Sequence, residues 1–458
     1  MAVRAFTMDQ VAALTSGRVL ASAKLPIRGL CLDSRRVQPG MLFAALKGAR
    51  ADGHDFVEKA VIAGAGAVLV ERPIAVPEGI GSIQVASVEK AIADLGRALR
   101  EEFQGEVIAI VGSCGKTTTK DFAAKVLSLA GPVYATSGNR NNLLGLPETL
   151  MSADMKARFW VLELGISQPL EMEDLAPIAR PTGVLFTTIQ PVHTEFFPSL
   201  EAILEEKAKV LRWTAASGFA VINLQDPLLS ALPIPAGLIR TTYGTAEGAD
   251  IWIESGPQTS RGTTFTLRRG DEGGDGFLPV PGVHNLANFC GACAVGARFG
   301  LSLEVLAGAA ADLQPSSHRG VTTALRKDVL LLDDSYNANP AAMALVFDAL
   351  KGWGRRQVAA LGEMLELGAE ASRYHREVGR LAAASGVACL LAVGGENAAA
   401  MAEAFSESGR PCLYVNRWSE GAEWLRNHLE PGDGVLVKGS RAIGLDGLAD
   451  WLIAEEGL

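Results

Sequence analysis

The stretch VIAIVGSCGKTTTK, residues 107–120, decides the fold. Its apolar run reads as a buried strand, GSCG as a tight turn, and KTTTK as the opening of a helix. Strand, glycine loop and helix in that order are the setting a phosphate-binding loop requires. The common loop carries a glycine, four residues and then Gly-Lys-Ser/Thr. Counting back from Gly115 puts Ile110 where that outer glycine would stand, so the loop here is the shorter Gly112-Ser113-Cys114-Gly115-Lys116-Thr117. Backbone N–H groups of such a turn, running straight into a helix amino terminus, form an anion nest. Lys116 adds a point charge for the β- and γ-phosphates, and Thr117 a hydroxyl for Mg2+. The loop specifies ATP or GTP and leaves the reaction open.

Around this unit, buried strands at FWVLELG, GVLFTTI and GFAVINL alternate with helices such as SLEAILEEKAKVLRW. That alternation predicts a mainly parallel sheet covered by helices. The first tract holds short β-like pieces (GLCLDSR, GAVLVE, SIQVAS) and then a helical connector, EKAIADLGRALREEF. A Gly-rich β-like segment precedes the helix HNLANFCGACAVGARFG, and a second boundary falls at QPSSHRGVTT. Beyond it QVAALGEM, ACLLAVGG, PCLYVN and GVLVKGS form another alternating series, expected as a smaller open α/β domain. The expected architecture is α/β in three domains: 1–100, 101–323 and 324–458.

At 458 residues, 48% hydrophobic and 20% charged, the chain has the composition of a globular protein. A net charge of −9 argues against a nucleic-acid partner. The segment MAVRAFTMDQVAALTSG lacks the apolar core of a signal peptide, and no run of about 18 apolar residues predicts a membrane span. The six cysteines sit in apolar or small-residue settings that suit reduced thiols in a cytoplasm. Cys290 and Cys293 form a CxxC with no second pair or histidine at zinc-ligand spacing, and read as core packing.

Further residues point to chemistry. Glu163 ends an apolar strand on the edge where open α/β sheets bind ligands, and metal binding is the economical reason for an acid there. His193, in TTIQPVHTEFF, also leaves a strand for a loop, and with Glu163 and Thr117 it becomes a second candidate metal ligand. By spacing alone, Lys207 in EAILEEKAKVL reads as a solvated lysine on a charged helix face. Asn285 and Asn288 share a helix face and carry paired donors and acceptors suited to an adenine edge. Arg319, at the second boundary, reads either as a surface arginine or as a group that reaches the γ-phosphate when domains close.

Together with LDSRRVQPGMLFAALKG, DGHDF and VLVKGSRAIGLD, this set resembles the Mur ligase family, ATP-dependent peptide-bond-forming enzymes of bacterial cell-wall synthesis. Their phosphate loop is the short Gly-x-x-Gly-Lys-Thr/Ser form. TSGNRNNLLGLP, LLDDSYNANPAAM and LGEMLELG look like the branch that adds D-alanyl-D-alanine to UDP-N-acetylmuramoyl-tripeptide. The resemblance implies that Gly112, Ser113, Cys114, Gly115, Lys116, Thr117 and Thr118 hold ATP, with magnesium (two ions) at Thr117, Glu163 and His193. It makes Lys207 a carbamylated lysine and places Lys116, Lys207, His193 and Arg319 in the catalytic machinery. Asn285 and Asn288 fall near adenine, and Arg319 near the γ-phosphate. Asp334, Tyr336, Asn337 and Asn339 face nucleotide and substrates. Ser34, Arg35, Lys47, Asp52 and His54 belong to UDP-sugar recognition, and Asn139, Asn141 and Asn142 to the muramoyl-peptide. The implied protein is a cytoplasmic monomer.

The family pattern is broken in places. Ser167 and Gln168 replace an Asn-His pair, Thr188 replaces an asparagine, and Lys209 stands where an acid is usual. Two rivals are a folylpolyglutamate-synthetase-like ligase, against which LDSRRVQPG and DSYNANP speak, and a switch or transport ATPase, disfavoured by the extra substrate-like domains.

Overall fold

The computed structural model describes residues 2–48, 51–351, 353 and 355–457. The strand Glu106–Val111 lies inside a nine-stranded sheet, flanked in parallel by Gly183–Phe186 on one side and Phe159–Glu163 on the other. Beyond them run Phe219–Asn223, Ile239–Gly244 and Ile251–Thr259 on the first side and Val133–Ala135 on the second, all parallel. The Gly-rich segment completes this sheet as antiparallel strands Gly262–Arg269 and Glu272–Leu278. Every residue of the strand FWVLE is buried, which is why it reads as a continuous apolar run instead of an alternating one.

Two further sheets flank it in sequence. Arg18–Ala21, Gly81–Gln84, Ala67–Val70, Leu42–Ala44 and Leu30–Cys31 form a five-stranded sheet, parallel apart from its first pair. Six strands from Val321–Ala324 to Gly434–Lys438 form the third, again parallel apart from one edge pair. The predicted α/β class with mainly parallel sheets is therefore the observed one.

The helix read as a connector is more than that. Val88–Glu102 starts at a Ser87 cap and buries Val88, Ala91, Ile92, Leu95 and Leu99. The same apolar cluster takes in Leu42 and Leu69 of the first sheet and Val107 and Trp160 of the second, so these two units share a core. The third unit keeps separate clusters of its own. Cys290 and Cys293 are both fully buried in the helix Val283–Arg298, as expected for packing. No helix among the described residues is long and apolar enough to cross a membrane.

Candidate active site

The phosphate loop is shaped by two close approaches. Gly112 has φ 154°, and a Cβ there would collide with the Thr187 hydroxyl. Gly115 has φ 77°, and its Cβ would stand 2.5 Å from Asn288 Oδ1. Only glycine accepts both the backbone angle and the proximity. The helix Lys116–Ser128 then begins with no side-chain cap and no acidic residue in its first turn, leaving its leading N–H groups and positive dipole end for an anion. The loop is braced from the neighbouring strand end: Ser113 N–H donates to Thr188 O (2.7 Å) and Thr187 Oγ1 to Cys114 O (2.6 Å). Lys116 Nζ donates to Gly112 O (2.9 Å) and Ser113 O (3.1 Å), and burial lowers the pKa of its ammonium.

Glu163 is 2% exposed and held at both oxygens. Thr117 Oγ1 donates to Oε2 (2.8 Å) and Asn141 Nδ2 to Oε1 (2.7 Å). The strand-end acid, the loop hydroxyl and the asparagine from TSGNRNN thus meet at one point.

A cavity of about 590 Å3 opens over this point. Its walls include Ser113 to Thr118, Asn139, Asn141, Asn142, Glu163, His193, Asn285 and Asn288 from the central unit. Arg319 comes from the boundary, and Asp334, Tyr336, Asn337 and Asn339 from the third. Asn285 Nδ2 donates to Pro281 O (2.6 Å), and Asn288 lies across from Gly115 on the same helix face. The Arg319 guanidinium stacks 3.7 Å from the Tyr336 ring centroid, so it is engaged in the cavity and is not a free surface arginine. Asn339 joins two units: its Oδ1 accepts from Ala342 N–H (2.9 Å) and its Nδ2 reaches Cys114 Sγ (3.1 Å).

Lys207 corrects the reading from spacing. It is 1% exposed, not solvated, and has no ion-pair partner among the described residues. Burial, and then the charge of Lys116, push its pKa well below the usual lysine value. It does not line the cavity, and neither does Gly112.

The departures from the family pattern have partners. Glu171 Oε2 accepts from Ser167 N–H (2.6 Å) and Gln168 N–H (3.2 Å), while Lys209 pairs with Glu206 (2.8 Å) and Glu173 (3.0 Å). Thr188 is the exception: its hydroxyl is buried with no hydrogen-bond partner among the described residues.

Five expected residues are not brought to this cavity: Ser34, Arg35, Lys47, Asp52 and His54. Ser34 is buried, Lys47 is exposed, and Arg35 is spent on Asp33 (2.6 Å). His54 accepts Glu71 N–H at Nε2 (2.9 Å), so its Nδ1 proton faces Asp52 Oδ1 (2.6 Å): it fixes its own loop. A second cavity of about 250 Å3 lies where the first two units meet, with Arg36 and Arg140 beside Glu148, whose carboxyl pKa burial raises.

Several lining groups were missed. Lys438 Nζ pairs with Asp334 and donates to Asn337 O (3.0 Å), and Arg441 lies 5.4 Å from the Tyr336 centroid. Both stand in VLVKGSRAIGLD, a motif quoted for resemblance without any residue being assigned. His284, directly before Asn285, has its pKa lowered by burial. Glu366, in LGEMLELG, has its carboxyl held below the usual range by its contact with His193.

The donor set suits a magnesium-dependent nucleotide site. Among the described residues there is no group of three or more His, Cys, Asp or Glu that could cage a metal. Mg2+ is ordinarily held by one or two carboxylates together with phosphate oxygens and waters, so a lone buried glutamate beside a phosphate loop fits it.

Models of Mur ligase domains match nearly the whole chain: a Mur ligase family catalytic domain at 26–102, a Mur ligase middle domain at 110–296, and a Mur ligase glutamate ligase domain at 318–441. The chain belongs to the Mur ligase family. Among Mur ligases it is 33% identical to the UDP-N-acetylmuramoyl-tripeptide--D-alanyl-D-alanine ligase of Escherichia coli, over 85% of this chain and 86% of that one. The crystal structure of MurF from Acinetobacter baumannii superposes with a TM-score of 0.88 at 28% identity, covering 99% of this chain and 100% of that one. MurF ligase from Thermotoga maritima in complex with ADP gives 0.80 at 27%, over 93% and 97%.

Proposed function

We propose that this Mur ligase joins D-alanyl-D-alanine to the terminal carboxylate of UDP-N-acetylmuramoyl-tripeptide, converting ATP to ADP and phosphate and giving the pentapeptide precursor of peptidoglycan. The observation that carries the reading is a cavity in which a phosphate loop and residues of the carboxy-terminal unit face each other, in a chain similar along its length to ligases of that name.

A carboxylate is a poor electrophile, so ATP must activate it. The tripeptide carboxylate oxygen attacks the γ-phosphorus, the bond to the β-phosphate oxygen breaks, and ADP leaves an acyl phosphate. Lys116, the loop N–H groups and Arg319 offset charge on the transferring phosphoryl. The dipeptide amine then attacks the acyl carbon and loses a proton. The tetrahedral intermediate expels phosphate. Asn285 and Asn288 fit the adenine edge, Asn139 and Asn142 the muramoyl-peptide, and Tyr336 holds the Arg319 plane. Asp334, Asn337 and Asn339 face the same space.

Thr117, Glu163 and His193 would hold magnesium, two ions in all, which screen repulsion between phosphate and carboxylate oxygens when bound. Lys207 would contribute as a carbamate. Burial lowers its pKa and so favours the neutral amine that attacks CO2: the N–C bond forms and a proton leaves to solvent. An anion then faces the cationic side, where a buried ammonium would be costly. We divide the chain at about 101 and 324, and assign Ser34, Arg35, Lys47, Asp52 and His54 to the unit that takes the UDP-sugar. A cytoplasmic monomer completes the reading.

The test is phosphate release from ATP and Mg2+ with UDP-N-acetylmuramoyl-tripeptide, with and without D-alanyl-D-alanine, alongside mass detection of the product. Release coupled to pentapeptide supports the ligase. Equal release without either substrate, with no pentapeptide, sinks it. For Lys207, a 13C carbamate signal from labelled CO2 should be present in the wild type and missing in Lys207→Met.

A further inference from the structure

The scheme above gives no role to Glu366, a carboxylate of the cavity wall. Glu366 lies in the loop after the strand Gln357–Gly362 and brings Oε2 within 2.6 Å of His193 Nδ1. The two residues come from different units. Both hold a left-handed backbone, φ 63° at Glu366 and φ 54° at His193. Such a conformation is costly for a non-glycine residue and persists where its surroundings fix it.

The Glu366 loop takes its shape from its own unit. His375, fully buried, accepts Met364 N–H at Nε2 (2.8 Å) and donates from Nδ1 to Ala371 O (2.7 Å). Leu365 N–H donates to Ser440 Oγ (3.0 Å). Glu366 is therefore carried as a preset part of the carboxy-terminal unit and meets His193 when that unit lies against the central one. Beside it Thr194 Oγ1 donates to Leu367 O (3.1 Å), so the seam closes at two adjacent points.

We propose that Glu366 is a positioning residue for the metal site: its carboxylate holds the Nδ1 side of His193, turns Nε2 toward the cavity, and so completes that site only when the carboxy-terminal unit is docked. This rests on the reading of His193 as a metal ligand. Metal-binding histidines ordinarily engage a carboxylate or carbonyl through the other ring nitrogen, and losing that partner weakens metal binding about 10- to 100-fold. The His193–Glu366 contact has the distance of a hydrogen bond but not its alignment, so the carboxylate holds the ring by its nearness to Nδ1. An ordinary exposed ion pair would do none of this.

The experiment titrates Mn2+ into the full chain with a non-hydrolysable ATP analogue, read by electron paramagnetic resonance, for wild type, Glu366→Gln, Glu366→Asp and His193→Ala. Hydrogen exchange of the amides at 192–197 is followed in parallel. Glu366→Gln should weaken Mn2+ about tenfold and remove the ligand-induced protection of 192–197. Its thermal midpoint should stay at the wild-type value, because the Glu366 side chain is 55% exposed. Glu366→Asp should recover part of the loss. If His193→Ala weakens Mn2+ while Glu366→Gln binds as wild type, the inference fails and the metal reading stands. If neither variant changes Mn2+ binding, His193 is no ligand and both fall.

Discussion

The two seams of this molecule are built from different materials. Between the first and central units the contact is apolar: the helix Val88–Glu102 feeds Ile92, Leu95 and Leu99 into a cluster shared by both sheets. Phe103 stacks on Trp160 with centroids 3.7 Å apart and planes at 5°. Polar ties reinforce it, with Ala2 N–H donating to Asp154 Oδ1 (2.9 Å) and Arg100 to the carbonyls of Ala179 and Arg180. Between the central and carboxy-terminal units the ties are polar: Asn339 to Cys114, Glu366 to His193, Thr194 to Leu367, and Gln258 to Ala349 O (3.0 Å). Shared apolar burial makes two bodies fold as one. A polar seam can open into water at little cost, which is what a site that must admit substrates and then exclude water requires. The cavity lies on the second seam.

The largest expected effect tests the rigid seam. Trp160 is fully buried, and its Nε1 donates to Asp154 O (3.1 Å). Trp160→Ala should cost about 3–5 kcal/mol. The first and central units should lose hydrogen-exchange protection together, while the carboxy-terminal sheet keeps its own. Loss confined to one of the first two units would mean that they are not one cooperative body.

Next comes a pH effect at Lys207. Lys207 is buried with a lowered pKa, whereas in the unfolded chain it titrates near 10.5. Between its folded value and 10.5 the unfolded state holds a proton that the folded state lacks, so stability rises with pH across that window. The slope is about 1.4 kcal/mol per pH unit at most. In CO2-free buffer, denaturant midpoints should climb with pH in the wild type, and Lys207→Met should flatten that climb. Equal slopes would place a charged lysine in the folded protein.

What the sequence disclosed follows from the distance over which each feature is encoded. The phosphate loop was legible because strand, turn and helix are contiguous, and both of its glycines are demanded by contacts the structure supplies. Glu163 was legible because an acid ending an apolar strand is a local anomaly. Lys207 misled because its neighbours Glu201, Glu205, Glu206 and Lys209 look like a solvated face. In fact Lys209 is taken up by Glu206 and Glu173, and the helix turns Lys207 inward. Lys438, Arg441 and Glu366 were beyond reach for another reason: only the approach of the third unit to the central one brings them to the same cavity as the phosphate loop. The five residues assigned to the UDP-sugar do not line the central cavity, and nothing in its geometry bears on them.

The smallest effects separate the ties along the polar seam. Asn339 has two tasks, capping its helix through Oδ1 and reaching Cys114 through Nδ2. Asn339→Ser keeps a capping oxygen but is too short to reach the thiol, so the thermal midpoint should hold while the KM for ATP rises. A hydrogen bond of this kind contributes about 0.5–1 kcal/mol, or roughly two- to fivefold. Gln258 Nε2 donates to the Ala349 carbonyl near the end of the helix Pro340–Lys351, remote from the phosphate loop in sequence. Gln258→Ala should change ATP turnover by less than about twofold, in keeping with a surface substitution worth under about 0.5 kcal/mol. The order of the two is what matters. If Gln258→Ala has the larger effect, the hairpin tip governs closure, and the contacts around the phosphate loop merely follow it.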